Sequence, residues 1–256
     1  MRICRFCRGE QHERARYGVI EGETVFPLRE DEPFAALDVD RSQGMPLSEV
    51  RLLAPCQPSK IIGVGRNYRD HALELGHDVP SEPLIFLKPP SAVIGPHEAI
   101  RLPALSERVD YEGELVVVIG RRAHHIGEDE SALDYVLGYT CGNDVTARDL
   151  QRRDVQFTRA KGFDTFAPLG PVIVTDLDPH DVTIETRVNG QVRQRARTSQ
   201  LVFSVETLLR YISQVMTLLP GDVIYTGTPA GVGPLNPGDI VDVDIEGIGV
   251  LSNPVI

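Results

Sequence analysis

Apolar residues in this chain occur mainly in short runs that end at glycine, proline or charged residues. Short runs rich in valine and isoleucine between such breaks are typical of β-strands. Two Pro-Gly-Asp sequences, at 220–222 and 237–239, predict tight turns that open strands. We therefore expect strands at residues 61–64, 84–87, 115–119, 171–175, 182–188, 222–226 and 240–245.

Helical periodicity is clearest between residues 204 and 219. Ser204 is a suitable N-cap, Pro220 and Gly221 end the segment, and its apolar residues follow the i, i+3, i+4, i+7 spacing of one helix face. Weaker patterns predict helices at 129–137 and 144–153. The pattern as a whole predicts a β-rich α+β fold with one long amphipathic helix, rather than alternating βαβ units.

The first 50 residues predict a small β-rich unit. Residues 17–20 and 24–26 are expected to pair as a hairpin across Glu21 and Gly22, followed by a linker with a short helix near 34–37. The strand-rich pattern then continues from residue 52 to the end. We therefore predict two domains, at 1–50 and 52–256.

Composition and charge exclude several classes of protein. The chain has 256 residues, of which 41% are hydrophobic and 25% charged, with a formal net charge of −11. An acidic chain without a basic tract is a poor ligand for nucleic acid or anionic membranes. The absence of an apolar signal core near Met1 leads us to expect a cytoplasmic protein. Cys4 and Cys7 form a single C-x-x-C, which favours free thiols on a strand over a zinc site.

Three carboxylates are candidates for a metal site. Glu112 and Glu114 point to the same side of a strand, where two like charges repel each other unless water or a cation lies between them. Oxygen ligands suit Mg²⁺, Mn²⁺ or Ca²⁺, whereas a solvated strand start is the alternative. Asp144 follows another strand and is either a third ligand or a helix N-cap.

A possible acid–base pair follows the strand at 61–64. Gly63 and Gly65 do not complete a dinucleotide-binding loop, because Tyr68 occupies the position of its third glycine. On a short helix, His71 and Glu74 share a face, so the carboxylate could orient the imidazole as a general base. A surface ion pair is the alternative interpretation.

Two further segments could bind an anion. Lys161 stands alone among aromatic, small and proline residues and could neutralise a substrate carboxylate or a developing enolate. The glycine-rich segment 225–233 follows a predicted strand, so that its backbone amides could approach an anion. A simple turn is the alternative for this second segment.

Six motifs, in this order, resemble those of the fumarylacetoacetate hydrolase family: G-x-N-Y-x-x-H-x-x-E, F-x-K-P, Y-E-x-E-L-x-x-V-I-G, N-D-x-T-A-R-D-x-Q, K-x-F-D-T-F-x-P-x-G-P and T-G-T-P-x-G-V-G-P. The resemblance covers roughly residues 52–256. It implies a mixed β-roll fold and a homodimer. It also implies that Mg²⁺ or Mn²⁺, with Ca²⁺ as a substitute in crystals, is bound by Glu112, Glu114 and Asp144.

The same resemblance implies roles for other residues. It makes His71 and Glu74 the catalytic pair, on a segment that becomes ordered when ligand binds, and gives Lys161 a place beside the substrate. Further substrate contacts are expected from Gln151 and Thr228, with Arg66, Tyr68 and Arg148 as candidates for a second carboxylate.

The resemblance therefore implies an enzyme that acts on small keto or enol acids through an enolate held by the ion. The N-terminal unit is similar to that of 2-hydroxyhepta-2,4-diene-1,7-dioate isomerases, which favours an isomerase or decarboxylase of aromatic catabolism. An acylpyruvate hydrolase or oxaloacetate decarboxylase is the alternative within enzymes. A catalytically silent metal-binding dimer is the alternative outside them, and the presence of His71, Glu74 and Lys161 argues against it.

Overall fold

The computed structural model of the protein describes residues 1–9, 15–30, 33–34 and 37–256. Its helices are α1 (Arg69–Glu74), α2 (Arg148–Arg153), α3 (Thr158–Lys161) and α4 (Val205–Val215). Its strands are β1 (Arg2–Cys7), β2 (Arg16–Glu21), β3 (Thr24–Pro27), β4 (Met45–Pro46), β5 (Arg51–Leu53), β6 (Ile61–Gly65), β7 (Leu84–Lys88), β8 (Val93–Ile94), β9 (Val109–Tyr111), β10 (Gly113–Ile119), β11 (Val136–Asn143), β12 (Thr146–Ala147), β13 (Ala167–Val174), β14 (Thr183–Val188), β15 (Gln191–Arg197), β16 (Val223–Tyr225), β17 (Gly233–Pro234), β18 (Ile240–Ile245) and β19 (Gly249–Pro254).

Within the described residues, the strands form three sheets. The largest has 12 strands and runs β4-β3-β2-β1-β13-β11-β10-β16-β6-β7, with β5 on β1 and β8 on β13. A second sheet has the order β12-β9-β17, and a third has the order β15-β14-β18-β19. Because β1 pairs with β13, the N-terminal strands continue the largest sheet. The division into two domains stays a prediction.

The core lies on both faces of β10. Leu115, Val117 and Ile119 pack in one cluster together with residues of α4, β14 and β18. Val116 and Val118 belong to a second cluster on the opposite face, with residues of β1 and β13. A strand that is covered on both sides has no polar alternation, which explains the unbroken apolar run that the sequence shows here.

Most of the predicted strands are confirmed, with small shifts at their ends. The predicted N-terminal hairpin is also confirmed, but Glu21 pairs with Thr24, so its turn is formed by Gly22 and Glu23 rather than by Glu21 and Gly22. Gly22 has a φ of +59°, which a glycine adopts at little cost. The helix predicted near 34–37 falls partly outside the described residues.

The predicted helices needed more correction. Helix α4 begins after Ser204, whose side chain accepts a hydrogen bond from the Thr207 amide, but it ends at Val215 rather than at residue 219. The following residues turn away because Leu218 exchanges two backbone hydrogen bonds with Ala123. The helix predicted at 129–137 is wrong: a 3-10 helix at Ala132–Tyr135 leads directly into β11. No helix in the described chain is long and apolar enough to cross a membrane.

Candidate active site and metal centre

Strand pairing brings the three acidic residues to one place. Glu112 lies between β9 and β10, and its backbone amide donates to the side-chain oxygen Oδ1 of Asn143 (2.8 Å). Asp144 follows β11, and its amide donates to the carbonyl of Glu112 (2.8 Å). Because β10 and β11 are antiparallel, with Gly113 opposite Asn143, the start of one strand meets the end of the other. Asp144 is therefore not a helix N-cap, since Ala147 precedes α2.

The three carboxylates are buried and form a compact set of oxygen donors. Glu112, Glu114 and Asp144 each offer an oxygen, and these atoms lie within 4.8 Å of one another. Gly113, between the two glutamates, packs closely against β14, because a Cβ there would lie 2.0 Å from Oγ1 of Thr186. A buried all-oxygen set of this size is the kind that hard divalent cations prefer.

Three buried cations pair with two of these carboxylates. The Nζ of Lys161 lies 2.7 Å from Glu112 Oε2 and 2.5 Å from Asp144 Oδ2. Lys88 donates to Asp144 and to the carbonyl oxygen of Phe166. Arg148 donates to Glu112, and its Nε lies 2.9 Å from Asp110.

The two glutamates differ in electrostatic environment. Burial opposes the charge on Glu112, but Lys161 and Arg148 outweigh it and lower the pKa of that carboxyl. Burial, together with the charges of Asp144 and Glu112, raises the pKa of Glu114 well above its ordinary range. In the described part of the chain no lysine or arginine forms an ion pair with Glu114, and its hydrogen bond comes from the Gly227 amide (2.7 Å). The site thus has an unneutralised buried carboxylate beside two others, which fits a divalent cation.

The predicted acid–base pair lies on α1. Nδ1 of the buried His71 is 3.2 Å from Oε2 of Glu74, and both carboxylate oxygens of Glu74 accept from the Gly231 amide, at 3.0 and 3.2 Å. Burial lowers the pKa of the His71 imidazole, against the opposing charge of Glu112. A neutral imidazole with one nitrogen held by a carboxylate can accept a proton at the other nitrogen.

Both groups meet at one cavity of about 380 Å³. Its wall contains most of the residues predicted to form the site: Arg66, His71, Glu112, Glu114, Asp144, Arg148, Gln151, Lys161 and Thr228. Glu74 lies behind His71 and is not part of the wall. Tyr68 is also outside the wall; burial raises the pKa of its phenol, and its hydroxyl has no hydrogen-bond partner among the described residues.

Several supporting residues were not identified from the sequence. Lys88 belongs to the F-x-K-P motif, but nothing local indicates that it reaches Asp144. Gln194 on β15 accepts from the Gly113 amide (3.0 Å) and donates to the Thr228 hydroxyl (2.8 Å), which connects the segment between the two glutamates to Thr228 in the cavity wall. These contacts join positions that are far apart in the chain, so they could be identified only once the order of the strands in the sheets was known.

Residues 60–256 match the sequence profile described as fumarylacetoacetate (FAA) hydrolase C-terminal, and residues 1–55 match one described as Rv2993c-like, N-terminal. The chain is 47% identical over 222 residues to the mitochondrial oxaloacetate tautomerase fahd2 of Xenopus laevis, covering 82% of this chain and 69% of the relative.

Two solved structures extend the comparison. A 5-carboxymethyl-2-hydroxymuconate delta-isomerase from Mycobacterium smegmatis is 50% identical, with a TM-score of 0.91 over 100% of this chain and 99% of that chain. A fumarylpyruvate hydrolase from Pseudomonas aeruginosa, in complex with Mn²⁺ and pyruvate, is 35% identical, with a TM-score of 0.74 over 80% of this chain and 91% of that chain. The predicted α+β fold class is confirmed, and the chain belongs to the fumarylacetoacetate hydrolase family.

Proposed function

We propose that the protein is a metal-dependent isomerase that shifts a proton on a small enol or keto dicarboxylic acid of the 2-hydroxyhepta-2,4-diene-1,7-dioate type. The observation that carries this proposal is that His71, held by Glu74, faces the same cavity as the three carboxylates and Lys161. A proton-transfer group and a site for developing negative charge are thus placed around one space.

Glu112, Glu114 and Asp144 would hold Mg²⁺ or Mn²⁺. The bound ion would supply positive charge beside the carboxylate and 2-oxo oxygens of the acid. Burial opposes the charge of Lys161, but Asp144 and Glu112 raise the pKa of its ammonium group. Lys161 therefore stays charged and would lie next to the same substrate oxygens. Gln151 and Thr228 line the cavity and can donate hydrogen bonds to the substrate.

His71 carries the proton in this proposal. With Nδ1 occupied by Glu74, Nε2 is the nitrogen free to exchange a proton with the substrate. In the dienol acid, the hydroxyl proton on C2 leaves, a proton adds to C5 and the double bonds shift between them. No atom is gained or lost, and no oxidant or water is consumed. The isomerase and tautomerase names of two similar proteins support a reaction of this kind.

Cleavage of a carbon–carbon bond is the second candidate. It is favoured by the similarity to a fumarylpyruvate hydrolase, and it would make the protein an acylpyruvate hydrolase or an oxaloacetate decarboxylase. In the hydrolase, His71 would activate water instead of moving a proton within the substrate.

A substrate panel tests these candidates. Purified protein with Mg²⁺ or Mn²⁺ is incubated with 2-hydroxyhepta-2,4-diene-1,7-dioate, oxaloacetate and acetylpyruvate, and products are identified by NMR. We expect isomerisation of the dienol that EDTA stops and either metal restores. Release of pyruvate, acetate or CO₂ without isomerisation would replace the proposal with the second candidate. No reaction on any substrate would favour a silent metal-binding protein, and light scattering on the same sample would measure the expected homodimer.

A further inference from the structure

The cationic residues of the cavity fall into two groups. Deep in the cavity, Lys161 and Arg148 are paired with carboxylates. Arg66 and Arg152 also line the cavity, but neither of their side chains has an ion pair or hydrogen bond with any other described residue. Among the described residues of the wall, the acidic ones are only the three of the metal centre. The two arginines therefore present positive charge that the protein itself does not neutralise.

The cavity also has an apolar part. Leu75, Leu84, Phe86 and Phe157 line the same cavity. The Nζ of Lys161 lies 5.1 Å from the centre of the Phe86 ring, and the Phe86 and Phe157 rings meet edge to face, with centroids 5.7 Å apart. A ligand whose head lies against Lys161 would thus have an apolar or conjugated middle section along the aromatic rings.

The backbone at Arg66 is held in an unusual conformation. Its φ is +56°, in the left-handed region that non-glycine residues seldom adopt. The next residue fixes it: the Asn67 amide group donates to the carbonyls of Phe203 (3.0 Å) and Thr226 (2.8 Å), and its oxygen accepts from the Phe203 amide. Side chains held in this way against backbone preference are concentrated at binding sites.

We infer that Arg66 and Arg152 bind the distal carboxylate of an extended dicarboxylic acid whose head group lies at the metal centre. This rests on the proposed function and names its substrate class: a long, conjugated dioate is preferred over oxaloacetate and over monocarboxylic acids. Of the residues expected from the sequence to bind a second carboxylate, Arg148 is already engaged by Asp110, Glu112 and Gln151, and Tyr68 lies outside the cavity wall.

The test compares acids with and without the distal carboxylate. KM is measured for 2-hydroxyhepta-2,4-diene-1,7-dioate and for 2-hydroxyhexa-2,4-dienoate, in wild type and in Arg66→Gln and Arg152→Gln. Each variant should raise KM for the dioate by about 10- to 100-fold, the usual effect of losing a hydrogen bond to a charged group, and leave KM for the monoacid unchanged. Arg153→Gln is the matched control, since it removes an equal charge from the exposed neighbour on α2 outside the cavity wall.

Calorimetry separates this inference from the proposed function. The Mg²⁺-loaded protein is titrated with 2-oxoadipate and with 2-oxohexanoate, which share a head group but differ at the far end. Tighter binding of 2-oxoadipate that is lost in Arg152→Gln supports the inference even if no isomerisation is found. Equal binding of the two acids, or an equal loss in Arg153→Gln, overturns the inference while isomerase activity stands.

Discussion

The two sides of the cavity are built from different kinds of structure. Glu114 lies in β10, which is buried on both faces, whereas Glu112 lies between β9 and β10 and Asp144 directly follows β11. His71 and Glu74 lie on α1, a helix of six residues, and the Glu74 side chain is 34% exposed. Strands in the middle of a sheet open only with the whole fold, whereas a short helix held by few contacts can move alone. In the proposed function, the strand-held side is the preformed part that binds charge and the helix-held side is the adjustable part that moves the proton.

The largest expected effect is on the strand-held side. Glu112→Ala removes one of the three proposed ion ligands and should abolish binding of Mg²⁺ and Mn²⁺ in calorimetry. Metal-dependent turnover should fall by about 10³-fold or more, because a bound cation contributes several kcal/mol to such reactions. Glu128→Ala, at an exposed acidic residue, is the control. Wild-type metal affinity in Glu112→Ala would contradict the assignment.

A change at Gly231 tests the helix-held side without touching the proposed ion ligands. Gly231 has a φ of +101°, and a Cβ there would lie 2.2 Å from the Arg193 carbonyl oxygen, so Gly231→Ala must shift the amide that holds Glu74. We expect kcat to fall by about 10²-fold, the effect of small misplacements of catalytic groups, with metal affinity unchanged. Gly238→Ala also has a positive φ but meets no atom within 4 Å, so it controls for backbone strain. Equal kcat in the two variants would mean that Gly231 does not position the pair.

The thermal stability of the metal-free protein should change in opposite directions when Glu114 and Glu112 are replaced by glutamine. The raised pKa of Glu114 means that its charge destabilises the folded apo protein increasingly as pH rises above 4.5, its ordinary value. Glu114→Gln should therefore raise the Tm at pH 7, by about 2–4 °C for each kcal/mol of repulsion relieved, and the gain should shrink towards pH 4.5.

Glu112→Gln should do the opposite. The pKa of Glu112 is lowered, so its charge stabilises the fold above pH 4.5, and this stabilisation is lost as pH falls. The sequence treats the two glutamates alike, as repelling charges, whereas Lys161 and Arg148 make them unequal. A lower apo Tm in Glu114→Gln at pH 7 would show that its carboxylate is neutralised by a group other than those described.

The smallest expected change is in local dynamics. We expect fast amide exchange in residues 66–80, above all beyond the hydrogen-bonded Asn67, slowed when oxalate and Mg²⁺ are added, because the segment carries His71 but has few apolar anchors. Amides of β10 and β11 should exchange slowly in both states and serve as the internal control. Equal protection of 66–80 with and without ligand would show that this side of the cavity is as rigid as the other.

The sequence predicted those elements of the fold that are determined by residues close together in the chain. The strand at Ile240–Ile245 and the start of α4 after Ser204 are visible in residue order alone. The end of α4 is not visible in this way, because it depends on the backbone hydrogen bonds between Leu218 and Ala123, which is distant in the chain. The helix predicted at 129–137 is wrong for a related reason: its last two residues belong to β11, which pairs with β10, and only a 3-10 helix forms before them.

The candidate site also has features that the sequence could predict and features that depend on long-range pairing. The trio of Glu112, Glu114 and Asp144 could be proposed from alternation and family resemblance, and the structure places their oxygens together. The engagement of Arg148 by Asp110 could not, because both are ordinary charged residues until β9 and α2 are seen to meet. Long-range pairing thus decides which charges are free to bind substrate.

The division of labour between the two sides is tested most directly by measuring oxalate affinity and kcat in His71→Ala and Lys161→Ala side by side. Loss of the imidazole should lower kcat by about 10²–10⁴-fold and change oxalate affinity by no more than a few fold, whereas loss of Lys161 should weaken both, because it removes a charge that binds the anion. The kcat of Glu74→Gln should lie between that of wild type and that of His71→Ala. If His71→Ala lost oxalate binding but kept the wild-type kcat, His71 would be a binding residue and the account would be wrong.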